Sequence, residues 1–339
     1  MKIGIIPDLH LKLNLGYSEL IDDKRTSEKK SVLDYIIKST KDCDKIVLLG
    51  DQLDSRNSSP HVIKELINLL EQFGTKELFI IAGNHEKFGD GRSAIDFLKE
   101  IKGHNWNIIT NEIFEKDDMV FCPYFTKSEL GAKDNDEAKK MIMKKLKPAK
   151  FLFVHHGISA TMTNAKFSVD FFPEPILPKA SLEKKYDLIF GGHIHSAQES
   201  GKVVVVGSVF TNEINEKDKR ICILDTDTLK VESLILPGRS LYKLENPSEA
   251  DLSKIKKDSI LKVILTKKIS DEKIEELKKK LDVFDAYMLI ERLPREKKKF
   301  HYDKDKNVLE LGIEELLGVY AKEKGVSLQS LLLGYELIK

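Results

Sequence analysis

The sequence predicts an α/β fold, a four-layer α-β-β-α sandwich in which two sheets pack face to face with helices outside them. Two observations carry this. Over residues 1 to about 238, short apolar runs alternate with helical patterns, and strands alternating with helices read as βαβ units. Five of the runs are Ile3-Gly4-Ile5-Ile6, Ile46-Val47-Leu48-Leu49, Leu78-Phe79-Ile80-Ile81, Phe151-Leu152-Phe153-Val154 and Leu188-Ile189-Phe190. Each leads directly into a polar cluster: Asp8 and His10, Asp51, Asn84 and His85, His155, then His193 and His195. Parallel strands of an α/β sheet bring their C-terminal ends to one edge, where ligands bind. The five clusters can therefore converge on one site.

The elements follow in order. A helix near 28–38 carries Val32, Leu33, Ile36 and Ile37. The clearest helix, near 60–73, opens on Ser58-Ser59-Pro60, a cap and first-turn signal, and its stripe is Val62, Ile63, Leu66, Ile67, Leu70 and Phe73. Strands near 203–206, 220–224 and 230–235 follow the last histidines, the latter two joined as a hairpin by Asp225-Thr226-Asp227-Thr228. Pro237-Gly238 and Asn246-Pro247 bracket an expected linker. Beyond it, Ile260–Leu265, Asp271–Leu281 and Ala286–Glu291 form a β-α-β pattern. That small module should pack on the first domain, being too short for a sizeable core. Residues 295–306 are charged and read as a loop. Two short apolar helices, near 312–324 and 327–337, end the chain, with Gly325 between them.

Composition bounds the rest. At 339 residues the chain exceeds what one core usually supports. It is 41% hydrophobic and 33% charged, and no apolar run reaches the ~20 residues of a membrane span. The chain opens directly on a strand, so the expectation is a cytoplasmic protein with no signal peptide and no membrane association. Cys43, Cys122 and Cys222 are few, odd in number and widely spaced, which fits buried free thiols rather than disulfides. Net charge is +1, but residues 251–306 hold 17 Lys and Arg against 12 Asp and Glu. That excess is compatible with a phosphate-contacting surface or with an ordinary solvated one.

The clusters imply metal chemistry. Asp8-Leu9-His10 and His193-Ile194-His195 each place two ligands on one side of an extended chain, where positions i and i+2 share a face. Gly191-Gly192 allows close backbone approach to an ion. Gly50-Asp51 turns a carboxylate towards the same edge, and Asn84 offers an amide oxygen. Imidazole, carboxylate and amide donors without thiolate suit Mn²⁺, Zn²⁺ or Fe²⁺ and argue against a structural zinc site.

Order and spacing resemble the calcineurin-like metallophosphoesterase superfamily. The matching motifs are Asp-x-His at 8–10, Gly-Asp-x-x-Asp at 50–54, Gly-Asn-His-Glu at 83–86, His155, and Gly-His-x-His at 192–195. The resemblance implies two divalent metal ions, Mn²⁺ being the expected pair. Asp8, His10, Asp51 and His195 would hold one, and Asp51, Asn84, His155 and His193 the other. A metal-bridged hydroxide would attack the phosphodiester. His85 would protonate the leaving oxygen, and Asp54 would orient His85. His156 is expected behind the ligands or facing substrate.

Finer features are similar to SbcD-type DNA repair nucleases, a group that includes the small subunits of phage recombination endonucleases. They are Gly207-Ser208 after the last ligands, Asp170-Phe171-Phe172-Pro173 through Tyr186-Asp187, and Leu236-Pro237-Gly238-Arg239 opening into the β-α-β module. That resemblance implies a nuclease domain over 1–238, a DNA-capping domain over 239–306 and a helix pair over 307–339. It also implies exonuclease and endonuclease activity on DNA, a homodimer, and docking of the terminal helices to an SbcC-type ABC ATPase with a coiled coil. The metal motifs alone equally permit a stand-alone phosphomonoesterase or cyclic-nucleotide phosphodiesterase.

Overall fold

The structure is a computed structural model. It describes residues 1–18, 25–163, 168–213, 216, 219–257, 259–266, 270–282 and 284–290, together with 317, 320, 321, 327, 329 and 331. By compactness the chain divides into two units, Met1–Glu291 and Arg292–Lys339. The charged stretch 295–306, and all but those six positions of the terminal helices expected from the sequence, lie outside the described residues.

In chain order the first half runs β1 (Lys2–Ile6), α1 (Thr26–Ser39), β2 (Lys45–Leu48), α2 (Pro60–Glu71), β3 (Glu77–Ile81), β4 (Trp106–Ile109), β5 (Phe114–Lys116), β6 (Met119–Cys122) and α3 (Asn135–Lys145). It continues through β7 (Phe151–Val154), α4 (Lys179–Leu182), β8 (Leu188–Gly191), β9 (Gln198–Ser200), β10 (Val203–Val205), β11 (Arg220–Asp225) and β12 (Val231–Ile235). The last part of the first unit is β13 (Leu241–Glu245), α5 (Glu249–Leu252), β14 (Ile260–Leu265), α6 (Asp271–Leu281) and β15 (Asp285–Ile290). Proline at the first turn sets the start of α2, and the Ser59 hydroxyl accepts from the Val62 amide at 3.5 Å. Asp134 caps α3 by accepting from the Glu137 amide at 2.8 Å.

Two six-stranded sheets form, ordered β12-β11-β1-β2-β3-β4 and β5-β6-β7-β8-β10-β9. In the first, β1 to β4 are mutually parallel and β11 closes antiparallel against β1. In the second, β6, β7, β8 and β10 are parallel. Alternation along each strand sorts side chains to opposite faces. Ile6, Ile46, Leu48 and Ile80 meet Val32, Ile36, Leu66 and Leu70 of the outer helices α1 and α2. Ile3, Ile5, Val47 and Phe79 turn inward against Phe121, Phe153 and Phe190 of the other sheet. Leu152, Val154 and Ile189 pack outward with Ile142 of α3 and Leu182 of α4. Three apolar layers between four structural ones are the expected α-β-β-α sandwich. All three cysteines are buried and free.

Phenylalanines clamp the middle layer. Phe79 of the first sheet stacks on Phe121 of the second at 4.2 Å, and the row continues to Phe153 at 5.2 Å and Phe190 at 5.4 Å. Offset stacking adds to the burial of these large rings.

The stretch read as a linker contains a strand instead. β13 pairs in parallel with β14, and β14 with β15, giving a three-stranded sheet. Leu241 and Leu244 explain this. Leu241 is buried with Ile260 against Tyr17, and Leu244 packs with Leu252, Leu261, Val263 and Leu281 in the module's own core. The junction is also polar. The guanidinium of Arg25, fully buried, donates to the carbonyls of Gly16 and Thr211 and to both oxygens of Glu28. Glu28 in turn accepts from the Arg239 amide at 2.9 Å. No helix among the described residues is long and apolar enough to cross a membrane.

Phe153→Ala should lower stability by about 3–5 kcal/mol, because the rows on either side cannot close a cavity of that size. Chemical denaturation reads this directly. A loss below 1 kcal/mol, roughly one methylene's worth, would show that the inter-sheet row is not the clamp described.

Candidate metal centre

Three parallel strands of the first sheet and two of the second end on a common edge. β1 leads to Asp8 and His10, β2 to Asp51, and β3 to Asn84 and His85. β7 leads to His155, and β8 to His193 and His195. The centre therefore lies across the joint between the sheets. The His10 amide donates to the Asp51 carbonyl at 2.8 Å, and the His193 amide to Asp8 Oδ2 at 2.9 Å.

Close approach strains the backbone. His10, Asp51 and His193 adopt φ of 44°, 48° and 73°, in the left-handed region. Each such residue costs on the order of 1–3 kcal/mol and persists only where its surroundings over-determine it. Gly83 is needed for steric reasons, since a Cβ there would lie 2.0 Å from Asp51 Oδ1.

Donor atoms gather in three overlapping groups, two of which include Asp51. Ligand atoms of Asp8, His10 and His195 lie within 4.8 Å of one another, as do those of His10, Asp51 and His85, and of Asp8, Asp51 and His155. Asn84 Oδ1 stands 3.1 Å from His155 Nε2 and 2.9 Å from His193 Nδ1, and His155 Nε2 stands 3.3 Å from Asp51 Oδ2. Asp8, His10, Asp51 and His155 are buried, whereas His85 is exposed.

Hydrogen bonding from behind decides which nitrogen faces inward. His155 Nδ1 donates to the Leu49 carbonyl at 2.7 Å, so its neutral ring offers a bare Nε2. His193 Nε2 donates to Glu174 at 2.7 Å and offers Nδ1. His195 Nδ1 faces Glu216 at 3.3 Å, which leaves Nε2 only 2.9 Å from His10 Nε2. The bare His155 Nε2 and His193 Nδ1 thus turn lone pairs on the oxygens of Asn84 and Asp51, and the buried Asp8 Oδ1 has no hydrogen-bond partner. A cation makes such contacts favourable. Nitrogen, carboxylate and amide donors without sulfur fit borderline-to-hard divalent ions. Burial alone would raise the Asp51 carboxyl, but a positive charge beside it, carried by a protonated His155 where no cation is bound, holds it well below the usual carboxylate range.

One expectation changes in detail. Orientation of His85 comes from the main chain of Asp54, whose carbonyl accepts from His85 Nδ1 at 2.7 Å. The Asp54 carboxylate turns instead to Lys12 Nζ at 3.1 Å and His10 Nδ1 at 3.4 Å, because a cationic and an imidazole partner outcompete solvent there. His156 lies behind the ligands, one of the two placements expected for it. It is buried, stacks on Tyr124 at 4.8 Å, and its Nε2 accepts from the Phe125 amide at 3.0 Å. Burial holds it neutral, with a pKa lowered to about 3.

Three carboxylates were not singled out from sequence. Glu174 holds His193 and also accepts from the Tyr124 hydroxyl at 3.0 Å. Glu216 holds His195, pairs with Lys219 at 2.9 Å and accepts from the Asn212 amide at 2.9 Å. Glu86, fully buried, accepts from the Leu53 and Gly83 amides and so ties the β2 loop to the β3 loop. Of these, only Glu86 sits inside a motif.

Glu174→Gln should weaken divalent-metal binding about tenfold or more, the usual effect of removing a carboxylate behind a histidine ligand. Titration calorimetry with Mn²⁺ tests this, and unchanged affinity would mean that the His193 ring is oriented without Glu174.

The family model described as calcineurin-like phosphoesterase matches residues 1–197. Among solved structures, an archaeal phosphodiesterase is 19% identical, with 70% of this chain and 100% of that one covered and a TM-score of 0.35. A metallophosphoesterase from Sphaerobacter thermophilus is 14% identical, covering 70% of this chain and 90% of that one, with a TM-score of 0.36. None of the curated proteins matches. With the family's motifs spanning more than half of the chain, this protein belongs to the calcineurin-like phosphoesterase family.

Proposed function

We propose that this metallophosphoesterase is a DNA nuclease, the SbcD-type subunit of a DNA repair and recombination complex. The observation that carries the step from phosphoester hydrolysis to DNA is the α/β module after Arg239. Its sheet β13-β14-β15 follows the metal-site fold directly, and residues 251–306 carry a net excess of five positive charges, 17 against 12. Polyanion binding is driven by an excess of positive charge. In this reading residues 1–238 are the nuclease domain, 239–306 the capping domain, and 307–339 the dock for an SbcC-type ABC ATPase. The active form is a homodimer.

Asp8, His10, Asp51 and His195 would hold one divalent ion, and Asp51, Asn84, His155 and His193 the other, Mn²⁺ being the expected metal. When bound, the pair supplies Lewis-acid charge to a phosphate and lowers the pKa of water. The chain's own residues do the rest. His85 is exposed at the rim, edge-on to His10 with ring centroids 4.6 Å apart. Its Nδ1 proton is committed to the Asp54 carbonyl. The transferable proton is therefore the one on Nε2, and His85 must enter as imidazolium to donate it to the leaving oxygen. After transfer the neutral ring keeps its bond to Asp54, so no reorientation is needed. Glu174, Glu216 and the Leu49 carbonyl hold the rings of His193, His195 and His155 and exclude the wrong tautomers.

The second reading, a stand-alone phosphomonoesterase or cyclic-nucleotide phosphodiesterase, has the same metal site and no use for the module.

His85→Ala should reduce cleavage by a factor of at least about 100, within the range expected for a general acid, while metal content measured by mass spectrometry stays at wild-type level. Loss of the metals in that variant would make His85 a ligand. The full chain with Mn²⁺, alone and with a cognate ATPase, should cut DNA ends or single strands. Rapid turnover of a small phosphodiester with no cutting or binding of DNA would select the second reading.

A further inference from the structure

One exposed cluster beside the site has no role in the reaction above. Phe88 is 41% exposed, although it belongs to a well-anchored segment. Lys87 and Ser93 bridge as a short antiparallel pair, and the Phe88 amide donates to the Arg92 carbonyl at 3.2 Å, which closes a tight hairpin. The hairpin base is buried. Lys87 pairs with Glu129 at 2.9 Å, and Glu86 is held by the Leu53 and Gly83 amides. A phenylalanine raised on such a support cannot fold back to hide its ring.

Two guanidinium groups stand over that ring. The Arg56 carbon lies 5.9 Å from the ring centroid and that of Arg92 5.5 Å. Asp90 neutralises part of the charge through its 2.6 Å contact with Arg92. Arg56 donates to the Lys87 carbonyl at 3.0 Å. This bond runs alongside the one from His85 to the Asp54 carbonyl, so residues 54–56 and 85–87 are stitched together twice. Arg56 thus sits on one of the two segments that hold His85, and Phe88 and Arg92 on the hairpin that continues the other.

A partly exposed aromatic ring with two guanidinium groups over it matches an unpaired nucleotide in both of its parts, the base taking the place that an exposed arginine now holds over the ring. Every base has a π-face that stacks on an aromatic ring, and arginine adds cation–π and phosphate contacts. A mononucleotide-blind phosphatase needs no such surface. We propose that Phe88, with Arg56 and Arg92, seats an unpaired base of the DNA strand near the cleaved bond. This rests on the nuclease reading given above, and it adds that the enzyme engages a single-stranded or frayed stretch there. Bases in an intact duplex are stacked on each other and cannot present a free face.

The test uses the full-length chain with Mn²⁺ and two substrates, a single-stranded oligonucleotide and bis(p-nitrophenyl) phosphate, which has no base. Phe88→Ala should raise KM for the oligonucleotide about tenfold, in the range of one lost stacking contact, with kcat/KM on the small diester within about twofold. Phe88→Tyr should restore the wild-type KM. An oligonucleotide with abasic positions near the cut should lose affinity for the wild type and show no further loss with Phe88→Ala. Unchanged KM in Phe88→Ala, or an equal fall on both substrates, overturns the stacking seat and leaves the nuclease reading standing. A wild type that turns over the small diester but neither binds nor cuts DNA overturns both.

Discussion

Seven side chains point electron pairs at a volume a few ångströms across, and that convergence is repulsive by itself. The sandwich must hold it against its own electrostatics. It does so from outside the cluster. Leu49 supplies a carbonyl to His155, and Glu174 and Glu216 face His193 and His195. Each support is a charged or main-chain acceptor that fixes one ring nitrogen as the donor and leaves the other bare. Such outer supports raise ligand basicity as well as fixing geometry. The strained φ values of His10, Asp51 and His193 belong to the same account. Strain of that kind is tolerated where rigid strands on both sides leave the loop no alternative.

Rigidity comes from the two sheets in different ways. The first contributes Asp8, His10, Asp51, Asn84 and His85 from three adjacent parallel strands, and the second contributes three histidines from two. Neither sheet alone holds a complete set. Relative placement of the sheets therefore sets the distances between donors, and the aromatic row from Phe79 to Phe190 sets that placement. A packed interior resists compression and shear, so a core contact well away from the edge acts on ligand geometry.

Much of this was legible in the sequence because the informative features are local. A short apolar run followed within a few residues by a carboxylate or imidazole is visible without knowing the fold, and five of them specify an edge. What escaped was non-local or carried by the main chain. Glu174 lies 19 positions from His193 and Glu216 lies 21 from His195, in stretches with no periodic pattern to mark them. The part played by Asp54 in holding His85 belongs to its carbonyl, which any residue possesses. Strand β13 hid because its apolar residues, Leu241 and Leu244, sit among Tyr242, Lys243 and Glu245, between turn-forming pairs that suggested a linker. Which sheet each cluster belongs to was likewise not written in the runs themselves.

The position of β1 carries a consequence for biosynthesis. Its neighbours in the first sheet are β2 on one side and β11 on the other, with Lys2 opposite Asp225. Nearly the whole sandwich is thus translated before that second edge is covered. An apolar strand with free amides and carbonyls is a template for pairing with other chains, and partly built domains are most prone to aggregation while such edges stand open. Glu216 and His195 emerge from the ribosome only shortly before β11 does. The carboxylate that faces the last histidine therefore arrives together with the strand that seals the vulnerable edge, and a chain stopped just before them carries all seven donors but neither a closed sheet nor the Glu216 support of His195.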